Sequence, residues 1–159
     1  MSEPLLSEVQ VWGAERDDAL RAIGEQLRAW GLSMPRVEPI MLHFGLNGFR
    51  RTGETEFWIV NEERAGYCGK FLFVFDGQTC PCHKHRVKHE TFFIVKGTAR
   101  MVIDGEERLM REGDVYVMPP GTGHSFTGVG NALLFEVSMP SSLKDNFFAD
   151  KRIGDNGVI

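Results

Sequence analysis

The sequence predicts an all-β domain, a sandwich or barrel of antiparallel strands that follows one N-terminal helix. Three observations support this class. Short segments rich in Phe, Val and Ile recur beyond residue 35, turn-forming residues separate them, and no long helical pattern lies between them. Parallel strands need long crossover connections, which are usually helices, so we expect these strands to pair antiparallel.

The helix is expected near residues 15 to 30. In "ALRAIGEQLRAWG", the apolar residues Leu20, Ile23, Leu27 and Trp30 follow one another at spacings of 3, 4 and 3, which places them on one helical face. Gly31 is a natural end for the helix. We therefore divide the chain into an N-terminal helical segment, residues 1–34, and a barrel domain with a C-terminal tail, residues 35–159.

The strand segments carry the residues that favour sheets and are bounded by turn signals such as "DGQ", "KGT", "DGE" and "TGVGN". They are "EPIMLHFG", "TEFWIVNEE", "GKFLFVFDG", "ETFFIVKG", "ARMVIDG", "RLMREGDVYVMPPG", "HSFTG" and "ALLFEVSMP". The last 20 residues are polar apart from Phe147 and Phe148. We expect this pair to attach the tail to the barrel rather than to bind a ligand.

Length and composition exclude several classes of protein. The chain has 159 residues, 42% of them apolar and 25% charged, which suits one domain with a buried core and excludes disordered, collagen-like and coiled-coil architectures. A net charge of −4 without a sustained basic run argues against nucleic-acid binding. No apolar run approaches the roughly 20 residues that span a bilayer, which argues against membrane insertion.

The cysteines indicate a reducing, cytoplasmic environment. Cys68, Cys80 and Cys82 are odd in number, and the opening "MSEPLLSEVQVW" lacks the basic and apolar regions of a signal peptide. The Cys-x-Cys pair of Cys80 and Cys82 is a weak signal for a metal thiolate or a redox couple, because no second cysteine pair accompanies it. We interpret both residues as reduced and structural.

Four residues have the composition of a transition-metal site. His83 and His85 are separated by one residue in an extended segment, so both imidazoles leave the same side of the strand. A bend at "RVK" would bring the Glu90 carboxylate to the same point, and the turn "PPGTG" would deliver His124. Imidazoles with a carboxylate suit Mn, Fe, Co, Ni, Cu or Zn rather than Ca or Mg. We interpret the isolated His43 as a packed or surface residue.

The spacing of these residues resembles that of the cupin superfamily. "GQTCPCHKHRVKHETFFIVKG" has the first cupin pattern: Gly, five residues, His-x-His, four residues, Glu, six residues, Gly. "GDVYVMPPGTGH" has the second: Gly, five residues, Pro-x-Gly, two residues, His. Gly128 stands where the second motif usually ends in Asn. The resemblance implies a double-stranded β-helix, or jelly roll, that is often dimeric, with metal bound by His83, His85, Glu90 and His124.

A narrower resemblance concerns function. The spacing His-x-His-x-x-Lys-x-Glu, with "EVS" at 136–138 and "DNFFADKRIG" near the end, is similar to the D-lyxose isomerase group of cupins. This implies a metal-dependent isomerase that interconverts an aldose and a ketose, D-lyxose and D-xylulose or related sugars. It also implies a homodimer and one divalent transition metal, with Mn preferred over Co, Fe, Zn or Ni.

Two residues are candidates for proton transfer. If the strand begins at Lys88, then Lys88 and Glu90 share a face and His89 points away, although a solvated lysine at the strand end would fit the same pattern. Glu136 interrupts the apolar run "ALLFEVSM", where a buried carboxylate needs an answering charge, unless it faces solvent from an edge strand.

Isomerisation needs a Lewis acid, a base at the carbon beside the carbonyl, and an acid that returns the proton. We assign Glu136 as the base and Lys88, with its pKa lowered by a nearby cation, as its partner, and these roles are exchangeable.

Two rival functions fit the same fold. An Fe(II)-dependent dioxygenase would use the same ligands and consume O₂, and a non-catalytic sugar-binding or sensing cupin would release no product.

Overall fold

The computed structural model describes residues 7–46 and 48–159 and consists of two antiparallel β-sheets with a helix against one of them. The elements, in chain order, are α1 Gly13–Ala29, β1 Ile40–Leu42, β2 Glu54–Glu62, β3 Tyr67–Val74, β4 Thr79–Lys84, β5 Glu90–Lys96, β6 Thr98–Ile103, β7 Glu106–Arg111, β8 Val115–Met118, β9 His124–Gly128, β10 Ala132–Ser138, a 3₁₀ turn Leu143–Asp145, and β11 Phe147–Phe148.

The strand order is that of a jelly roll. One sheet runs β1-β2-β3-β10-β5-β8 and the other β11-β4-β9-β6-β7, and each ladder between these strands is antiparallel. Strands β4, β5 and β6 are consecutive in the chain, but β5 lies in a different sheet from its two neighbours. The predicted all-β jelly roll with an N-terminal helix is confirmed.

The main core lies between the two sheets. Phe92 and Ile94 of β5 face Met101 and Phe126 of the opposite sheet, and all four side chains are almost fully buried. Because successive side chains of a strand point to opposite faces, the inner positions of β5 are these apolar residues and, at its first position, Glu90. One end of the space between the sheets is therefore polar.

Helix α1 covers the outer face of the six-stranded sheet. Ala19, Ile23 and Leu27 are buried there in a second apolar cluster with Phe73, and the predicted Leu20 and Trp30 pack against it half-buried. Gly31, at φ +69°, follows the end of the helix in a conformation that glycine adopts without strain. The helix and the sheet share this cluster, and the boundary at residue 34 stays a prediction.

The C-terminal tail adds the last strand. Phe147 pairs with Lys84 and Phe148 pairs with His83, so β11 extends the sheet beside β4. Phe148 is buried in the main core. The expected attachment of the tail is confirmed, but Phe148 also lines the internal cavity, which the sequence did not suggest.

The structure also bears on the roles expected of the cysteines and on membrane insertion. All three cysteines are free; Cys68 and Cys80 are buried, as a structural role requires, whereas Cys82 is exposed. Among residues 7–46 and 48–159, no helix combines the length and the apolar character that crossing a bilayer demands.

Candidate active site

Three histidines meet at one end of the space between the sheets. His83 is the next-to-last residue of β4 and pairs with His124 at the start of β9, and His85 directly follows the end of β4. Their ligand nitrogens lie within 4.8 Å of one another. His85 and His124 are buried, and His83 is half-buried. The i, i+2 spacing therefore places both imidazoles on one side of the chain, as predicted.

The Nδ1 atom of each histidine lies within hydrogen-bond distance of a backbone carbonyl. The pairs are His83 with Pro81 at 2.8 Å, His85 with Asp145 at 2.8 Å, and His124 with Thr122 at 3.1 Å. A carbonyl only accepts hydrogen bonds, so in the neutral form each Nδ1 carries the proton and each Nε2 presents a lone pair. Such contacts fix the tautomer that binds a metal through Nε2.

Glu90 lies beside two of these nitrogens. Its Oε2 atom is 3.0 Å from His124 Nε2 and 3.3 Å from His85 Nε2, and its side chain is 1% exposed. Burial alone would raise the pKa of Glu90, but His124 and His85, when Nε2 carries a proton, and the Lys88 ammonium hold it well below its ordinary value. The carboxylate is therefore ionised and points at the histidines.

These atoms fit a divalent transition metal. In the neutral tautomer the Nε2 lone pairs of His85 and His124 face a carboxylate oxygen, and neither nitrogen has a hydrogen-bond partner within the described ranges. Burial, followed by the two neighbouring histidines, lowers the pKa of His83 well below its ordinary value, which favours the neutral ring that binds metals. Acceptors that face one another in a buried place need a cation between them. The three histidines are thus a possible divalent metal site.

Lys88 and Glu136 form a buried ion pair beside this cluster. Lys88 Nζ is 2.7 Å from Glu90 Oε1 and 3.0 Å from Glu136 Oε1, and neither Lys88 nor Glu136 is more than 4% exposed. Ser138 donates a hydrogen bond to the same Glu136 oxygen at 2.9 Å. The solvent-facing alternatives for both residues are therefore excluded, and the expectation that Glu136 needs an answering charge is confirmed.

The pKa of Lys88 moves in the opposite direction to the sequence-based expectation when only the chain's own groups act on it. Burial and Lys70 would lower it, but Glu136 and Glu90 outweigh them and raise the pKa above its ordinary value. Lys88 is thus an ammonium group that lies between two carboxylates. The sequence-based expectation of a lowered pKa considered a nearby cation and did not include the carboxylates of Glu90 and Glu136.

Sequence reasoning missed a second lysine and its partners. Lys70 of β3 pairs directly with Glu136 of β10, and its Nζ atom lies 3.5 Å from Glu136 Oε2 and 2.8 Å from Glu56 Oε1. Glu54 and Glu56 of β2 are each 6% exposed and line the same cavity. Glu54 and Glu56 lie at alternate positions of "ETEFW", a spacing that usually marks a solvent-facing side, so no local pattern indicated their burial.

Asp145 fixes the connection that carries His85 and Lys88. Its carboxylate accepts hydrogen bonds from the backbone N–H groups of Arg86, Val87 and Lys88 at 2.8 to 3.2 Å, and its carbonyl accepts from His85. This is the bend that the sequence required between His85 and Glu90. A residue of the C-terminal tail therefore holds the bend in place.

An internal cavity joins these groups. Its volume is about 70 Å³. Its lining includes His83, His85, Lys88 and Glu136 on the polar side, and the apolar side consists of Leu72, Phe92, Phe126, Phe148 and Leu143 among others. His43 lies outside it and accepts a hydrogen bond from the Gly45 N–H at 3.0 Å, in keeping with the ordinary role expected of it.

Comparisons with known proteins agree with this fold. A family model described as "Cupin domain" matches residues 71–138. The D-lyxose/D-mannose isomerase of Thermosediminibacter oceani is 31% identical over 138 residues, which cover 69% of this chain and 75% of that protein. The D-lyxose ketol-isomerase of Cohnella laeviribosi is 28% identical over an alignment 178 positions long, which covers 92% of this chain and 97% of that protein.

A solved structure shows the same fold over almost the whole chain. The L-ribose isomerase of Cellulomonas parahominis, crystallised with L-ribose, superposes with a TM-score of 0.73 at 18% identity, covering 94% of this chain and 97% of that one. Sequence relatives and fold thus agree with the motif spacing. The chain therefore belongs to the D-lyxose isomerase group of cupin sugar isomerases.

Proposed function

We propose that the protein catalyses the reversible, metal-dependent isomerisation of an aldose to its ketose, with D-lyxose and D-xylulose as the principal pair and mannose as a possible poorer substrate. The observation that carries the proposal is the buried Lys88–Glu136 pair, which lines a cavity beside three converging histidines. Relatives named D-lyxose isomerases support the choice of sugar.

His83, His85, Glu90 and His124 are the proposed metal ligands, with Mn preferred over Co, Fe, Zn or Ni. Three imidazole nitrogens and one carboxylate are a donor set of first-row transition metals, and the described contacts leave the Nε2 lone pairs free for one. When bound, the metal would supply the positive charge that polarises the oxygens at C1 and C2 of the sugar.

Glu136 is the proposed base at the carbon beside the carbonyl. Its Oε1 atom is held by Lys88 and Ser138, whereas the contact of Oε2 within the described residues is the 3.5 Å one with Lys70. The Oε2 atom is therefore the freer one, and we assign it the removal of a proton from one carbon and its return to the neighbouring carbon. Transfer of a proton from one carbon to the next by one carboxylate is what an enediolate pathway requires.

Lys88 is the proposed partner of Glu136. Its ammonium group can donate to the oxygen on which negative charge develops, and it can move the hydroxyl proton between the two oxygens. Its place between Glu90 and Glu136 keeps it charged and fixed for that task. An exchange of roles between Lys88 and Glu136 is the alternative within the same proposal.

The test is incubation of metal-reconstituted protein with a panel of pentoses and hexoses, followed by analysis of the ketoses formed. Conversion of D-lyxose supports the proposal, and failure to convert any aldose with Mn, Co, Fe or Zn contradicts it. The cytoplasmic location and the homodimer are further proposals. Sedimentation at the mass of two 159-residue chains would support the dimer.

A further inference from the structure

A row of polar side chains lines the cavity wall formed by β2 and β3. Glu54, Glu56 and Trp58 alternate along β2, and Lys70 of β3 pairs with Trp58; we refer to these four residues as the polar wall. The inner face of a jelly roll is ordinarily apolar, and yet Glu54 and Glu56 are each only 6% exposed. Buried carboxyl groups need hydrogen-bond partners or a ligand.

Glu56 has its partners within the protein. Its Oε1 atom lies 2.8 Å from Lys70 Nζ, and its Oε2 atom accepts a hydrogen bond from Trp58 Nε1 at 2.7 Å. Burial alone would raise the pKa of Glu56, but Lys70 and Trp58 bring it below its ordinary value. Glu56 is therefore a carboxylate whose two oxygens are both engaged, and neither is free for a ligand.

Glu54 is different. The Glu54 side chain interacts with Glu56 and Cys80, but its Oε2 atom is buried and has no hydrogen-bond partner in the parts of the chain that the structure describes. Burial, followed by repulsion from Glu56, raises the pKa of Glu54 well above its ordinary value. These effects favour the neutral carboxylic acid, which can both donate and accept one hydrogen bond. The apolar Leu42 pairs with it across β1, and Leu72 lines the cavity nearby.

The chemistry of this position selects a neutral, hydroxyl-bearing ligand. An anion would be repelled by Glu56, whereas an alcohol can accept a hydrogen bond from a carboxylic acid and donate one to it. The polar wall also begins at the proposed base, because Lys70 contacts both Glu56 and Glu136. A sugar whose reacting carbons lie at Glu136 would extend its other hydroxyl groups along this wall.

We propose that Glu54 is a specificity-determining residue that binds a hydroxyl group of the sugar at the end remote from the reacting carbons, at C4 or C5. The identity of the ligand as a sugar rests on the proposed function. The inference goes beyond it, since it assigns a second binding position at a residue that neither holds the metal nor moves the reacting proton.

The test combines a change in the protein with a change in the sugar. Wild-type protein, Glu54→Met, Glu54→Gln and the control Glu62→Met, at an exposed glutamate of the same strand, are loaded with metal and assayed on D-lyxose and its 4-deoxy and 5-deoxy analogues. For D-lyxose, Glu54→Met should raise KM by about 10- to 100-fold with a smaller change in kcat, because one partner of a buried hydrogen bond is lost. Glu54→Gln and Glu62→Met should stay near wild type.

One of the deoxy analogues should be almost insensitive to Glu54→Met, since it already lacks the hydroxyl group that Glu54 binds. An equal loss on all three sugars would overturn the inference. Wild-type protein offers a check that needs no folded variant, because it should discriminate against that same analogue by about 10- to 100-fold in KM. Equal KM values for the three sugars would also overturn it.

A binding measurement separates this inference from the proposed function. Calorimetric titration of the metal-loaded protein with a pentitol, which cannot isomerise, should show binding that Glu54→Met weakens and Glu54→Gln retains. If wild type forms no ketose but shows this pattern, the Glu54 position stands and the isomerase proposal fails. If wild type forms ketose and Glu54→Met binds the pentitol as tightly as wild type, the Glu54 inference fails alone.

Discussion

Lys88 Nζ lies 3.0 Å from Glu136 Oε1, and both side chains are almost completely shielded from solvent. A buried carboxylate and ammonium compensate each other only while both are present. Lys88 and Glu136 therefore have two roles. Each stabilises the buried charge of the other, and both are assigned to proton transfer.

The first prediction concerns Glu136→Gln. The substitution preserves size and lies outside the proposed ligand set, so the protein should fold and keep its metal, but the rate should fall by about 10² to 10⁴-fold because the base is lost. Lys88→Met should behave similarly. Kinetics and metal analysis of the purified variants measure both effects.

Ser138→Ala is the matched control, since it removes one hydrogen bond to Glu136 and leaves the carboxylate in place. Its rate should fall far less than that of Glu136→Gln. Glu136→Gln and Lys88→Met should also unfold at a lower temperature, because each leaves the remaining buried charge with one counter-charge fewer. Full activity in Glu136→Gln would remove Glu136 from the mechanism.

The second prediction concerns the metal ligands. His85→Ala and His124→Ala should each lose most of the bound metal, because each removes one of the converging nitrogens. Cys82→Ser should keep it, since Cys82 is exposed and outside the histidine cluster. Elemental analysis after dialysis measures the metal content of each variant. Unchanged metal content in both histidine variants would contradict the assignment.

The third prediction concerns Asp145, which positions His85 and Lys88 through the bend between them. Asp145→Ala should weaken metal affinity by about 10- to 100-fold, as loss of an outer-shell contact typically does, and Asp145→Asn should weaken it less because one acceptor oxygen remains. Titration of metal-free protein measures the affinity. Asp150→Asn, at an acidic residue of the same tail that binds Arg152, is the control and should have no effect.

The fourth prediction concerns the dependence of stability on pH. Because the folded-state pKa of Glu54 is raised above its unfolded value, the stability it contributes is complete below about pH 4.5 and declines as the pH rises toward the folded pKa. Glu54 is faced by Glu56 on its own strand, Lys70 on β3 and Cys80 on β4.

Glu54→Gln removes this titration. The free energy of unfolding of the variant, relative to wild type, should therefore increase from pH 4.5 toward neutrality, as measured by urea denaturation at several pH values. A difference that stays constant over this range would show that Glu54 titrates normally.

Much of the fold was predictable because its signals are local. Phe92 and Ile94 alternate with half-buried or exposed neighbours, and one-residue spacing in an extended segment brings His83 and His85 to one side. The strand carrying Glu90 begins two residues later than Lys88, but Lys88 still points inward because the side-chain alternation continues through it.

The other features of the site depend on contacts between residues that are far apart in the sequence. Lys70 reaches Glu136 because β3 pairs with β10 in a particular register, and a single lysine in "GKFLFVF" does not reveal that register. Asp145 acts on His85 from 60 positions away. Glu54 and Glu56 have the alternation of a solvent-facing strand, and only the closure of the second sheet over β2 makes that face internal.

The most direct test of the proposed isomerisation is conversion of D-lyxose in D₂O by metal-loaded wild-type protein, followed by NMR of the product and by measurement with an oxygen electrode. We expect D-xylulose with solvent deuterium at C1, because Glu136 exchanges its proton with solvent before returning it, and no consumption of O₂. Ketose without deuterium would indicate a direct hydride shift and reduce Glu136 to a base for the hydroxyl proton. No ketose from any aldose, together with O₂ consumption on another substrate, would contradict the isomerase account and favour a dioxygenase.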